Sequence, residues 1–414
     1  MSHLFMHRLT LFLFILLISL STTRLFADEP VDTTQYSTLA STNFWQLNKA
    51  IALYQSAAQQ EWPIIPDNPY LLKVGTRSSS VILLRERLKL TGDLDPMDDI
   101  GGKRFDYQLS NAVKNFQTRH GLKADGSVGN ETRIELNIPP ETRAKQIAIN
   151  MQRWADLASK LGDRFIIVNI PDFHMYLYDH NQKMLSLRAI VGKPDLQTPE
   201  IMSKVTRIVF NPYWNIPNTI AKKDIAPKML DDPGYISKMR IKVLTSQQDD
   251  ATEVSPWRVN WSAAMRGNFN YHLRQEPGAD NALGLVKFEF QNSHDVYMHD
   301  TSAKDLFNTD NRGYSHGCIR LENPFSLAEY LLKDDQRWNE ERIQQIIEAG
   351  QTKYVKVPQP IPIFIVYITA WIDDEGRVNF RDDLYQMDSD NPVVGQNKPE
   401  AIPDVNENVN EQFY

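Results

Sequence analysis

The chain is poor in cysteine: it has one, Cys318, in 414 residues. No intrachain disulfide can form, which excludes a disulfide-stapled scaffold. It also lacks an excess of positive charge. Lys plus Arg number 45 against 52 Asp plus Glu, giving a net charge of −7. Nucleic-acid binders carry a basic patch, so no nucleic-acid partner is expected. Beyond residue 20 there is no long apolar run, which excludes a polytopic helical membrane protein. No group of His, Cys and carboxylate residues has ligand spacing, so neither a metal nor a cofactor is expected.

What the first residues do have is a pattern. Met1 to Arg8 carries Arg8 with His3 and His7, and Leu9 to Leu20 is apolar apart from Thr10 and Ser19. Ser21 to Ala27 is more polar and ends on a small residue before Asp28-Glu29-Pro30. A weakly basic start, a short apolar core and a small final residue describe an export signal over 1–27. The apolar core is shorter than the roughly 20 residues of a membrane span. Leu25, however, is large where cleavage prefers a small side chain. A cleaved signal peptide and an uncleaved signal anchor both remain open. Export predicts a periplasmic location, with an uncleaved signal holding the protein to the inner membrane. Thiols there are usually paired, so a lone cysteine is either a reactive group or an incidental buried one.

The rest of the chain divides by periodicity. Phe44 to Gln59 and Glu141 to Leu161 carry apolar residues at helical spacing and form a helical scaffold, 28–70 with 139–162. Between them, 71–138 holds an amphipathic run at Val81 to Leu90, a Gly- and Asp-rich loop at 92–102, a second helix at Tyr107 to His120 capped by Gly121, and a short third one through Thr132 to Leu136. From Arg164 the pattern turns to short strands, among them Phe165 to Ile170, Met175 to Tyr178, Leu185 to Val191, Val205 to Phe210, Leu285 to Phe290 and Val296 to His299. This body is taken as 163–350, with 218–262 as an insertion lying over its sheet. Residues 351–386 are a C-terminal extension interrupted by Pro358, Pro360 and Pro362. Residues 387–414, rich in Asn, Asp and Pro, are an expected disordered tail. The fold class is therefore α+β and multidomain.

The chemistry centres on Tyr314-Ser315-His316-Gly317-Cys318-Ile319-Arg320-Leu321. A nucleophilic thiol needs a base, something that holds the base, and donors for an oxyanion. His294, His299 and His316 are candidate bases. His299 ends a strand 19 positions before Cys318, across a loop long enough to bring the two together. His316 and Arg320 each lie two residues from Cys318, and in an extended segment such residues share a face. Gly317 allows a tight backbone there, and Arg320 can hold a carboxylate.

Two stretches resemble known families. The run from Leu71 through Gly75, Val81, Leu84, Phe105-Asp106, Phe116-Gln117, His120-Gly121-Leu122 and Asp125-Gly126 to Leu136-Asn137 resembles the small three-helix peptidoglycan-binding domain. His299 followed by Ser315-His316-Gly317-Cys318-Ile319-Arg320 resembles the L,D-transpeptidase (YkuD-type) family, as do Val191-Gly192-Lys193-Pro194 and Phe210-Asn211-Pro212-Tyr213-Trp214-Asn215. The order of parts is similar to the large Gram-negative branch, with scaffold, wall-binding insertion and capping subdomain. The resemblance implies a mostly-β, sandwich-like catalytic domain and the following roles. Cys318 is the nucleophile and His299 the base, oriented by a backbone carbonyl rather than by Asp300. Gly317 and Cys318 supply oxyanion N–H groups, and Ser315, His316 and Arg320 shape the pocket. Tyr297, Trp214 and Asn215 are candidate substrate-lining residues. The implied reaction joins a tetrapeptide donor to a diaminopimelate acceptor through a thioester, releasing D-Ala and leaving a 3→3 cross-link. Trimming of stem peptides or attachment of a lipoprotein by the same chemistry is the alternative, and a non-catalytic wall-binding protein is a third. Peptidoglycan stem peptides are the implied partners, with penicillin-binding proteins acting on the same wall.

Overall fold

The computed structural model describes residues 38–248 and 250–388. The expected export signal and residues 389–414 of the expected tail lie outside the described residues. The expected tail begins at residue 387, but Arg153 holds its first two residues by bonds to the Met387 carbonyl (2.8 Å) and the Asp388 carboxylate (2.6 Å).

The helical parts come first. Helix α1, Thr38–Ala57, and α5, Pro140–Ala158, pack together as the scaffold. Between them are α2, Ser79–Leu90, α3, Tyr107–Arg119, and α4, Asn130–Asn137. Side-chain caps start the first two of these: Ser78 accepts from the Ser80 N–H, and Asp106 accepts from the Leu109 N–H at 2.8 Å. Their apolar stripes meet in a core of their own, with Leu84, Leu88, Phe105, Phe116 and Leu136 fully buried. Ile65 joins that core, and Asn137 clamps its backbone from both sides. The unit expected at 71–138 thus begins earlier than residue 71.

The strand-rich body contains β1, Arg164–Asn169, β2, His174–Asp179, β3, Gln182–Gly192, and β4, Ile201–Phe210. After these come β5, Trp214–Ile216, β6, Ile241–Leu244, β7, Glu253–Val254, and β8, His272–Gln275. The series ends with β9, Val286–Phe290, β10, Met298–His299, β11, Gly313–Ser315, β12, Ile319–Leu321, and β13, Lys353–Val366. Nine strands form one sheet in the order β11-β3-β12-β10-β9-β4-β13-β1-β2, and a further pairing of β2 with β3 closes all but β11 into a ring. Helix α6, Pro324–Leu332, and α7, Glu340–Ala349, add Leu327, Leu331 and Ile343 to the enclosed core.

Strand β13 corrects the expected boundary at 350. It lies between β4 and β1, so residues 353–366 are integral to the ring and not an extension. Its three prolines fall at or beside a break in register between Lys356 and Ile361, where missing N–H groups cost least. Both faces of β1 and β13 are covered. Ile166, Val168, Ile363 and Ile365 point into the ring, while Phe165, Ile167, Phe364 and Val366 pack under the scaffold helices. This is why Phe165 to Val168 reads as an unbroken apolar run rather than an alternation. A hairpin of β14, Ala370–Ile372, and β15, Val378–Phe380, completes the scaffold layer.

The insertion is also wider than 218–262. Strands β5, β8, β6 and β7 form a separate four-stranded sheet, so the cap takes in Trp214–Ile216 and His272–Gln275. Short helical pieces from Asn218 to Asp231, with a π-helical turn at Ala221–Ile225, pack on it through Ile225, Met229 and Trp261.

Candidate active site

The site forms where β10 and β12 run side by side in parallel. Met298 pairs with Ile319, and His299 with Arg320. One residue earlier, the Ile319 N–H donates to the Tyr297 carbonyl at 3.1 Å, which sets Tyr297 opposite Cys318. Met298 and Ile319 point into the ring core. By the two-residue alternation of strands, Tyr297, His299, Cys318 and Arg320 therefore share the outer face. All four line one pocket of about 320 Å³, roofed by Trp214, Ile220, Asp224 and Tyr235 of the cap.

His299 is buried, and its Nδ1 donates to the backbone carbonyl of Asp300. Nε2 is thereby left as the acceptor nitrogen. Burial, reinforced by the Arg320 charge, pushes the imidazole down to about 3. It is neutral at any physiological pH. The Asp300 carboxylate is engaged elsewhere, by the Leu285 N–H at 2.9 Å and Lys304 Nζ at 2.5 Å. Gly284, at φ +62, leaves room for it, since a Cβ there would meet that carboxylate at 2.3 Å.

Cys318 is half-buried, and its Sγ lies 3.8 Å from the Asp295 carbonyl. Burial pushes the thiol up. The backbone N–H and hydroxyl of Tyr297 and the charges of Lys287 and Arg320 act against this. Burial and the Cys318 sulfur hold the Tyr297 hydroxyl protonated, with the nearby Trp214 side chain acting weakly against them. The Arg320 guanidinium is lowered by burial, and its Nε has no hydrogen-bond partner among the described residues.

The turn before Cys318 is built by Ser315 and Gly317. Ser315 Oγ donates to the Cys318 carbonyl at 2.5 Å and accepts from the Gly317 N–H at 3.1 Å. Gly317 sits at φ +111, a conformation that glycine alone adopts readily.

Residues 163–347 match the family model described as the L,D-transpeptidase catalytic domain, and 77–136 match that of a peptidoglycan binding domain. Over 163–347 the chain is thus similar to the YkuD-type L,D-transpeptidase catalytic domains. It is 36% identical over 244 residues to a Haemophilus influenzae protein assigned as an L,D-transpeptidase, an overlap of 59% of this chain and 48% of that one. The chain thus spans about half the length of the curated relative it matches. Among solved structures, it is similar to an L,D-transpeptidase from Xylanimonas cellulosilytica at 13% identity and TM-score 0.23, covering 73% of this chain and 100% of that one. A second, from Stackebrandtia nassauensis, stands at 11% identity and TM-score 0.26, covering 71% and 94%.

In the matched domain the turn departs from the extended geometry that would put His316 beside Cys318. The positive φ at Gly317 breaks the alternation. His316 lines the pocket but reaches toward the cap, with Nε2 3.6 Å from Asp224 Oδ2. The Gly317 N–H, one of the two expected oxyanion donors, is spent on Ser315. Asn215 does not join the site. It follows Trp214 along β5, points to the other side and is exposed. His294 is likewise exposed, in the turn spanning 292–296. The contribution of Tyr297 beyond lining was legible only in its spacing, two residues before His299 on one strand face.

Proposed function

We propose that the chain is a peptidoglycan L,D-transpeptidase that works through a thioester on Cys318 and forms 3→3 cross-links. The observation that carries this reading is one shared strand face holding Tyr297, His299, Cys318 and Arg320 under a cap, on an L,D-transpeptidase catalytic domain.

In the first half-reaction, His299 Nε2 takes the thiol proton as Sγ attacks the carbonyl carbon of the third stem residue. The oxygen becomes an oxyanion, which the Cys318 N–H and the Tyr297 hydroxyl are placed to receive. Collapse breaks the C–N bond, and His299 returns the proton to the departing D-Ala amine. In the second half, the side-chain amine of a diaminopimelate attacks the thioester. His299 takes its proton and passes it to the leaving sulfur. Arg320, unpaired in the pocket, suits a stem carboxylate. The wall-binding match at 77–136 supports a peptidoglycan substrate. Water as acceptor would give stem trimming, and a lipoprotein amine would give attachment to the wall.

The nucleophile is tested by intact mass after incubation with a carbapenem. An adduct on the wild type that is absent from Cys318→Ala supports it, and no adduct on the wild type sinks it. The product is tested by muropeptide analysis of walls with and without overexpression. Unchanged 3→3 dimers would overturn the cross-linking assignment. We further propose a periplasmic site of action, read from the leader at 1–27. A periplasmic extract lacking the protein would contradict that.

A further inference from the structure

The nucleophile turn is held from behind by Thr198, which is itself held by a residue outside the matched catalytic domain. The Thr198 hydroxyl donates to the Gly317 carbonyl at 2.8 Å and accepts from the Gly192 N–H at 2.8 Å. The Thr198 N–H donates to Tyr385 Oη at 3.1 Å, and that hydroxyl donates to the Gly192 carbonyl at 2.6 Å. Tyr385 thus closes the 192–198 loop from below, using both its proton and a lone pair. The Lys193 N–H adds a bond to the Ser315 carbonyl at 3.1 Å. Both Thr198 and Tyr385 are buried. Tyr385 is itself fixed, because its ring stacks on Tyr367 at 5.4 Å and its N–H donates to Tyr367 Oη at 2.7 Å. The matched domain ends at residue 347, so Tyr385 lies beyond it.

The Gly317 carbonyl matters because of what shares its peptide unit. The planar trans group joins that carbonyl to the Cys318 N–H, pointing oppositely. Whatever holds the carbonyl aims the N–H. At φ +111 the Gly317 backbone has wide freedom; Ser315 holds its N–H, and Thr198 holds its carbonyl. From this we infer that Tyr385 is a positioning residue for the transfer reaction: through Thr198 it fixes the Gly317–Cys318 peptide so that the Cys318 N–H meets the oxyanion. The inference rests on the reading of Cys318 as nucleophile.

An oxyanion donor acts on the transition state and not on the bound ground state. Misaiming it slows acylation without weakening binding. The experiment measures carbapenem acylation of the full chain by intact mass over time and over probe concentration. In Tyr385→Phe, which keeps the stacked ring, the maximal acylation rate falls about tenfold or more, in line with the cost of a displaced catalytic group. The half-saturating concentration stays within about twofold, since ground-state binding is untouched. Thr198→Val loses a similar factor, and Thr198→Ser restores most of it. The double variant Tyr385→Phe with Thr198→Val is no slower than the worse single one, because both act through one link. A maximal rate in Tyr385→Phe equal to wild type overturns the inference, as does a loss confined to half-saturation. Should Tyr385→Phe not fold, the Thr198 pair decides alone: equal rates in Val and Ser variants overturn it. A wild type that forms no adduct condemns the nucleophile reading instead, so the two failures are distinct.

Discussion

Tyr297 and Cys318 sit opposite each other on neighbouring parallel strands, and the Tyr297 hydroxyl and backbone N–H both face the Cys318 sulfur. On the proposed thioester mechanism, the tyrosine would serve a resting thiol and, once substrate enters, an oxyanion in nearly the same place. Trp214 of the cap lines the same pocket as that hydroxyl.

Replacing Tyr297 by Phe should cut the acylation rate by about 100- to 1000-fold, the range found when a single oxyanion donor is removed. Stability should change little, because the ring and its packing remain. Acylation timed by mass spectrometry, beside a thermal melt, checks this. A wild-type rate would remove Tyr297 from the reaction.

The pH dependence should be that of a neutral pair. The His299 imidazole, near 3, is already deprotonated across the working range. The Cys318 thiol is raised above its ordinary value, near 8.5. Alkylation of Cys318 by iodoacetamide should therefore climb steadily through pH 6 to 9, with no step at the usual histidine value near 6.5. A plateau already reached below pH 7 would mean a preformed thiolate–imidazolium pair and would contradict the buried neutral arrangement.

Arg320 is buried without a partner for its Nε, a state that costs stability. Arg320→Ala should leave the melting temperature equal or higher, while raising KM for a tetrapeptide donor about tenfold or more. Arg320→Lys should recover little, since an ammonium lacks the planar fork. An unchanged KM in the Ala variant would free Arg320 from substrate binding.

The wall-binding unit is joined to the scaffold through Arg119. Its guanidinium contacts both Asp93 oxygens (2.6 and 2.5 Å) and the Val378 carbonyl (3.2 Å), all out of solvent. His120 stacks between Phe116 and Phe380 beside it. Arg119→Ala strands a buried carboxylate and should cost about 3–5 kcal/mol. Urea unfolding measures the loss, and a change below about 1 kcal/mol would show the contact to be incidental.

Much of this was readable in the chain because it depends on local rules. Helices α2 and α3 announce themselves by apolar spacing, and Gly317 marks a tight backbone. The paired facing of His299 and Cys318 followed from two short segments and a plausible loop. Other features depend on distant pairings that no local pattern encodes. Nothing in Lys353 to Val366 reveals that it slots between β4 and β1, and its prolines argue for an irregular tail. The widening of the cap to Trp214 and His272 depends on β5 meeting β8 across some 60 residues of sequence. Asn215 was misjudged by one residue of strand alternation, which is enough to turn a side chain from pocket to solvent.

The place of β13 carries a consequence for biosynthesis. A fragment cut where the family match ends, at residue 347, would leave β4 and β1 with bare edges on either side of a missing strand. Exposed edges of that kind invite pairing between chains. The ring cannot close until residue 366 is available, and the brace on the nucleophile turn waits for residue 385. A chain that emerges amino end first thus acquires its small helical unit early and a completed Cys318 turn last, so premature truncation would yield a protein with the first intact and the second unbraced.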